Sequence, residues 1–196
     1  NTNKQLSQTT LKKYCELLSK VSIPFVINKK PPAAWSVKSR FPEHDGILTL
    51  ANGRQEIVNS LENYDSLRGT EYADALLDET RDTSPDALDV VYGGLRGFDD
   101  IYPGIAYLVR ITTTPNGFDH VWSRYVNPAT CIPDSKVVQA STRDNFYLPK
   151  DFADRMQATY GKKLVEQEIY GQFIDLASGK AFTFNRERNV SDSISF

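Results

Sequence analysis

A chain of 196 residues with 40% hydrophobic, 24% charged and 11% aromatic content has the makeup of an ordinary globular protein, large enough to bury a core without staples. No apolar run reaches the roughly 18 residues needed to span a bilayer, no charged-then-apolar leader opens the chain, and Cys15 and Cys131 fit no metal spacing and read as reduced thiols of a cytosolic protein. The net charge of −2 excludes a chain that is basic throughout, but residues 1–60 carry nine Lys/Arg against four Asp/Glu and residues 61–104 carry three against eleven. A basic face on an acidic protein suits contact with a phosphate backbone, and an ordinary solvated surface accounts for it equally well.

Along the chain, Leu11, Tyr14, Cys15 and Leu18 recur at helical spacing and predict a helix over 9–21. Ser22-Ile23-Pro24 ends it, and Pro31-Pro32 breaks regular structure further on. Two extended runs, 47–50 and 55–58, flank Asn52-Gly53, a strong short-range hairpin signal. Residues 73–77 form a short apolar run that suits a buried strand, with Asp78-Glu79 at its carboxyl end. A helix is predicted over 86–93 and a strand over 105–111, running into Thr112-Thr113-Thr114-Pro115. Asn116-Gly117 turns the chain, and 118–125 reads as helical. A further strand is predicted over 136–140, ending in Ser141-Thr142. Pro149 opens a helix, a second helix covers 162–173, and the Ser-, Asn- and Arg-rich last residues read as a linker or tail.

Short apolar strands alternating with helices predict an α/β domain with a mainly parallel sheet. Ligands of such sheets bind beyond the carboxyl ends of the strands, where this chain puts Asp78-Glu79, Thr112–Thr114 and Ser141-Thr142. An apolar strand ending in Asp-Glu has the shape of a magnesium-and-water site for ATP hydrolysis: one carboxylate serves the ion, the other the attacking water. The same pattern also arises in proteins without nucleotide chemistry. Hydroxyls at Thr112–Thr114 could sense a γ-phosphate beside those carboxylates, although a plain strand-to-turn transition explains them too. Arg68 precedes the strand and could stabilise phosphoryl charge, or form a surface ion pair of little energetic weight. His44 and His120 read as surface or capping residues. No Cys/His cluster suggests zinc, and no nucleophile elbow is present.

Over residues 11–185 the order of segments resembles the large terminase subunits of tailed phages. The matching pieces are Leu50-Ala51-Asn52-Gly53, Asp65-Ser66-Leu67-Arg68-Gly69, Leu76-Leu77-Asp78-Glu79, Ile111-Thr112-Thr113-Thr114-Pro115-Asn116-Gly117, Ala140-Ser141-Thr142-Arg143-Asp144-Asn145 with Leu148-Pro149, and Tyr160-Gly161 with Gln167-Glu168-Ile169-Tyr170-Gly171-Gln172-Phe173. The resemblance implies a three-layer P-loop NTPase-like domain over residues 1–180, using ATP and Mg2+, with 181–196 leading toward a nuclease domain. By that match Asp78 serves magnesium, Glu79 activates water, Thr112, Thr113 and Thr114 couple hydrolysis to movement, and Arg68 acts across subunits. The implied partners are double-stranded DNA, the portal protein, the small terminase subunit and further copies in a homo-oligomeric ring. The implied location is the host cytoplasm and, transiently, the procapsid portal vertex, with no membrane role.

Two departures qualify this expectation. The sequence holds no G-x-x-x-x-G-K-[ST], so the N-terminal P-loop strand is expected to be lacking, and nothing in residues 1–60 replaces the amides and lysine that hold phosphates. The chain also stops short of a nuclease domain. It therefore reads as the middle of a longer protein whose ATPase is incomplete in this piece. The competing expectations are a non-catalytic interaction or DNA-binding module derived from a terminase, as a prophage remnant or split gene product, and a helicase-like ATPase.

Overall fold

The computed structural model describes residues 6, 8–35, 37, 43–100 and 103–175; the expected tail over 181–196 lies outside them. The chain falls into two compact units, Asn1–Thr113 and Thr114–Phe196.

In the first unit, helix α1 (Thr10–Lys20) follows the predicted periodicity. Its Leu11, Tyr14, Cys15 and Leu18 pack with Leu48, Leu50, Phe25, Ile27 and Val58 into one apolar cluster. Ser22, in the left-handed region at φ 57°, turns the chain out of the helix. Three strands follow: β1 (Phe25–Ile27), β2 (Ile47–Leu50) and β3 (Gln55–Ile57). They form an antiparallel sheet with β2 in the middle, pairing Ile27 with Leu48 and Leu48 with Glu56. All four residues of β2 are buried, the polar Thr49 included, so burial does not alternate along this strand. The Asn52-Gly53 signal forms the turn. Gly53 takes φ 89°, which favours glycine, and the Asn52 side chain accepts from Arg54 N at 3.0 Å. The three-residue β1 had no sequence expectation.

A βαβ unit completes this half. Strand β4 (Asp74–Asp78), helix α2 (Pro85–Gly93) and strand β5 (Leu108–Thr112) run in order. β4 and β5 pair in parallel from Asp74 with Leu108 to Asp78 with Thr112. Ser84 caps α2 by accepting from Asp86 N, and Pro85 occupies the first turn, where a missing N–H costs nothing. Ala87, Leu88, Val90 and Val91 form its buried face. The helix is held down at its end by Tyr72, whose hydroxyl donates to Val91 O at 2.9 Å while its N–H donates to Gly94 O. A Cβ on Gly94 would lie 2.5–2.6 Å from the Tyr72 ring and hydroxyl. Gly94→Ala therefore expels the ring, and a loss of about 1–3 kcal/mol is expected in urea unfolding.

An ion network joins the hairpin to the parallel pair. Arg54 reaches Glu56 at 2.7 Å and Asp74 at 3.1 Å, and Arg110 reaches Asp74 at 3.4 Å. Tyr14 donates to Glu56 at 3.0 Å. Burial and the adjacent Glu56 carboxylate push the Tyr14 phenol up to about 12.

In the second unit, the predicted 118–125 helix becomes a short helical turn that widens into a π-helix, Trp122–Val126. Asp119 caps it, accepting from Val121 N and Trp122 N. Helices α3 (Phe152–Thr159) and α4 (Lys162–Glu168) follow. They bury Ala153, Val165 and Ile169 against Met156, Tyr160 and Tyr170.

The sequence expectations need four corrections. The described strands form one two-stranded parallel sheet and one three-stranded antiparallel sheet, so the fold is mixed α/β and not mainly parallel. β5 begins at Leu108, later than expected. The helix after Pro149 begins at Phe152, with Pro149 O closing the preceding turn, and the last helix ends at Glu168. Residues 136–140 join no ladder, and Val138 is 91% exposed. That run ends on the carboxyl end of α4 instead: Ser141 Oγ donates to Ile169 O at 2.9 Å and Thr142 Oγ1 to Glu168 O at 3.1 Å. The two hydroxyls thus satisfy carbonyls that a helix end leaves without partners.

Candidate functional site at the tip of the parallel strands

The parallel register puts Asp78 and Thr112 side by side at the carboxyl ends of β4 and β5. Thr112 Oγ1 donates to Asp78 Oδ1 at 2.8 Å. The other carboxylate oxygen, Oδ2, accepts from Thr10 Oγ1 at 2.7 Å, a contact 68 residues away in sequence. Asp78 therefore sits exposed at the strand tip with both oxygens facing hydroxyls. Sequence reasoning missed Thr10, and no local pattern marks it.

Glu79 leaves the strand in the left-handed region, φ 50° and ψ 50°. A residue with a Cβ adopts this conformation at a cost of about 1–2 kcal/mol, and such strain concentrates at functional sites. The next residues close a tight 3-10 turn, Thr80–Asp82. Thr83 N and Thr83 Oγ1 both donate to Thr80 O, at 3.0 and 2.7 Å. Thr80 is fully buried, and its hydroxyl makes no hydrogen bond. The Glu79 side chain is 37% exposed overall, but its Oε2 is buried and makes no hydrogen bond. Arg81 Nε lies 3.5 Å from that oxygen, an ion pair without hydrogen-bond alignment. The backbone N–H of Arg81 donates to Thr113 Oγ1 at 3.0 Å, which fastens the turn to the end of β5.

Four of the expected site residues, Asp78, Glu79, Thr112 and Thr113, thus meet at one sheet end. Thr114 follows Thr113 and is the first residue of the second unit. Arg68 is not drawn into this group by any ion pair. It ends the 3-10 segment Leu61–Leu67, is largely exposed, and pairs with Asp65 at 2.7 Å. The hydrogen bond to Asp65 raises its pKa further above the ordinary arginine value. Ser141 and Thr142, expected at a third strand tip, cap a helix end instead. His44 and His120 are half-buried, each with one ring nitrogen that makes no hydrogen bond.

Among the described residues no group of three or more His, Cys, Asp or Glu could hold a metal ion. Magnesium does not need one, because it is commonly held by one or two carboxylates, water and substrate phosphates. The all-oxygen character of the Asp78 tip fits that ion. The phosphate-holding half of such a site has no P-loop motif in the sequence.

Residues 25–189 match the family model described as terminase large subunit, T4-like-virus type, N-terminal. The match spans Arg68, Asp78, Glu79 and Thr112–Thr114. No curated protein and no solved structure matched the chain. Among the described residues no helix is long and apolar enough to cross a membrane. On the extent of this match, the chain belongs to the terminase large subunit family, the DNA-packaging proteins of tailed phages.

Proposed function

We propose that the β4–β5 tip is the metal-and-water half of a P-loop-type ATPase site that drives double-stranded DNA into a procapsid. The observation that carries this reading is the pairing of Asp78 and Thr112 in register at the strand ends, with Glu79 turned out of the strand beside them. Asp78 would hold magnesium. Glu79 orients the attacking water and takes its proton. Thr112, Thr113 and Thr114 pass the loss of the γ-phosphate to the rest of the domain. Bound magnesium supplies charge neutralisation at the phosphate oxygens.

The phosphates themselves need amides and a lysine from a P-loop segment other than residues 1–196, so this chain does not turn over ATP by itself. The complete motor works as a homo-oligomeric ring with the portal protein and the small terminase subunit, in the host cytoplasm and at the portal vertex. Arg68, exposed and held only at the surface by Asp65, serves the neighbouring subunit's site. The test is DNA-stimulated ATP hydrolysis by the assembled ring. Arg68→Ala is expected to lower it by about 1,000-fold or more, the lower end of the range attributed to arginines that act in trans, and to leave unchanged the basal turnover of the monomer completed with its P-loop segment. Equal loss in both forms would refute the trans role. Absence of DNA-stimulated hydrolysis in the wild-type ring would refute the motor reading itself.

A further inference from the structure

The geometry points to Arg81 as the positioning residue for Glu79, with the Thr113 hydroxyl as the anchor that holds Arg81 in place. This inference rests on the ATPase reading of the strand tip and adds a residue that the motif comparison did not single out.

Three observations meet at this turn. First, Glu79 Oε2 is buried without a hydrogen bond. A buried carboxylate oxygen left in that state is costly unless a charge compensates it. The guanidinium that compensates it is Arg81, at 3.5 Å, and the Arg81 side chain is 24% exposed. Second, Arg81 has little freedom to leave. Its backbone lies inside the closed 3-10 turn Thr80–Asp82, where Asp82 N donates to Glu79 O at 3.2 Å and Thr83 N to Thr80 O at 3.0 Å. Fully buried Thr80 pins the same turn from below. Third, the turn is tied to β5 by the Arg81 N–H donating to Thr113 Oγ1.

A displacement of Thr113 therefore moves Arg81, and Arg81 moves the carboxylate of Glu79. This gives the threonine run a specific physical output: the direction of the water-activating carboxylate. The ion pair at 3.5 Å is long enough to exchange for a true hydrogen bond after a small shift. The interaction holds Glu79 without locking it. The same Arg81 Nε lies 3.9 Å from Asp82 Oδ1.

The test has two arms. In the 196-residue chain, the side-chain carboxylate carbon of Glu79 is observed by 13C NMR, assigned through loss of its signal in Glu79→Gln. Arg81→Gln is expected to move this signal toward the position of solvent-exposed glutamates. Thr113→Val, with Arg81 intact, is expected to move it in the same direction, and Arg81→Lys to keep it near the wild-type position. In protein competent for turnover, Arg81→Gln is expected to lower kcat by about 10-fold or more through misplacement of the carboxylate. KM for ATP stays within about twofold because no binding contact is removed. Arg81→Lys restores most of kcat. A Glu79 signal indifferent to Arg81→Gln overturns the proposal, as does unchanged or raised kcat. If Arg81→Gln fails to fold by circular dichroism, Thr113→Val and Arg81→Lys carry both arms. Failure of the ATPase reading is separately visible as undiminished turnover in Glu79→Gln, which leaves the NMR arm intact.

Discussion

In the protein completed with its P-loop segment, Glu79→Gln is expected to lower ATP turnover by at least about 100-fold, the usual scale for losing a positioned general base, while the protein stays folded. The amide keeps the size and rotamers of the acid but cannot take a proton. The structure indicates why folding survives. Glu79 Oε2 makes no hydrogen bond that would be lost, and its ion pair with Arg81 is long and involves a side chain 37% exposed. The left-handed backbone at φ 50° is the same burden for Gln as for Glu. A coupled assay of ATP hydrolysis, with a thermal melt of the same samples, checks both halves. Turnover close to wild type would remove Glu79 from the role of base, and a large fall in melting temperature would show that its role is structural.

Leu48→Ala is expected to cost about 2–5 kcal/mol of stability, the range for truncating a fully buried leucine. Leu48 is 0% exposed at the centre of β2. It packs with Leu18 and Leu50, and its backbone pairs with Ile27 on one side and Glu56 on the other. Neighbours on both edges hold the strand in place, so the cavity cannot close by moving it. Urea unfolding of the wild-type and variant chains measures the loss. A cost below about 1 kcal/mol would mean that the sheet collapses around the gap and that this cluster is not the core that supports α1.

The parts of this molecule that were legible in the sequence are those fixed by neighbours in the chain. The spacing of Leu11, Tyr14, Cys15 and Leu18 marks α1, Asn52-Gly53 marks the hairpin, and Ser84-Pro85 sits at the start of α2. The run before Asp78 is short, apolar and bounded, and it becomes β4, although not the buried strand expected: only Leu77 is buried and Leu76 is 67% exposed. What escaped is fixed by distant partners. β1 has three residues and exists because β2 offers it an edge. Residues 136–140 have the composition of a strand but no strand beside them. Their continuation, Ser141 and Thr142, satisfies the carbonyls of Glu168 and Ile169 instead. At the strand tip, Asp78, Glu79, Thr112 and Thr113 were marked by residue type and position, and the structure brings these four together. Thr10 did not, because its bond to Asp78 spans 68 residues. Arg81 did not either, because its significance depends on a buried oxygen and a hydroxyl on another strand.

By the function proposed above, the Asp78 end of β4 is the metal side of a nucleotide site. The most direct test titrates a fluorescent ATP analogue in the presence of magnesium into the protein completed with its P-loop segment, as wild type and as Asp78→Ala. Magnesium-dependent binding is expected for the wild type, with affinity weakened by about 10-fold or more in Asp78→Ala, since the carboxylate that would hold the ion is gone. Equal affinity in the two proteins would contradict it and would place the nucleotide, if one binds, away from the tip of β4 and β5.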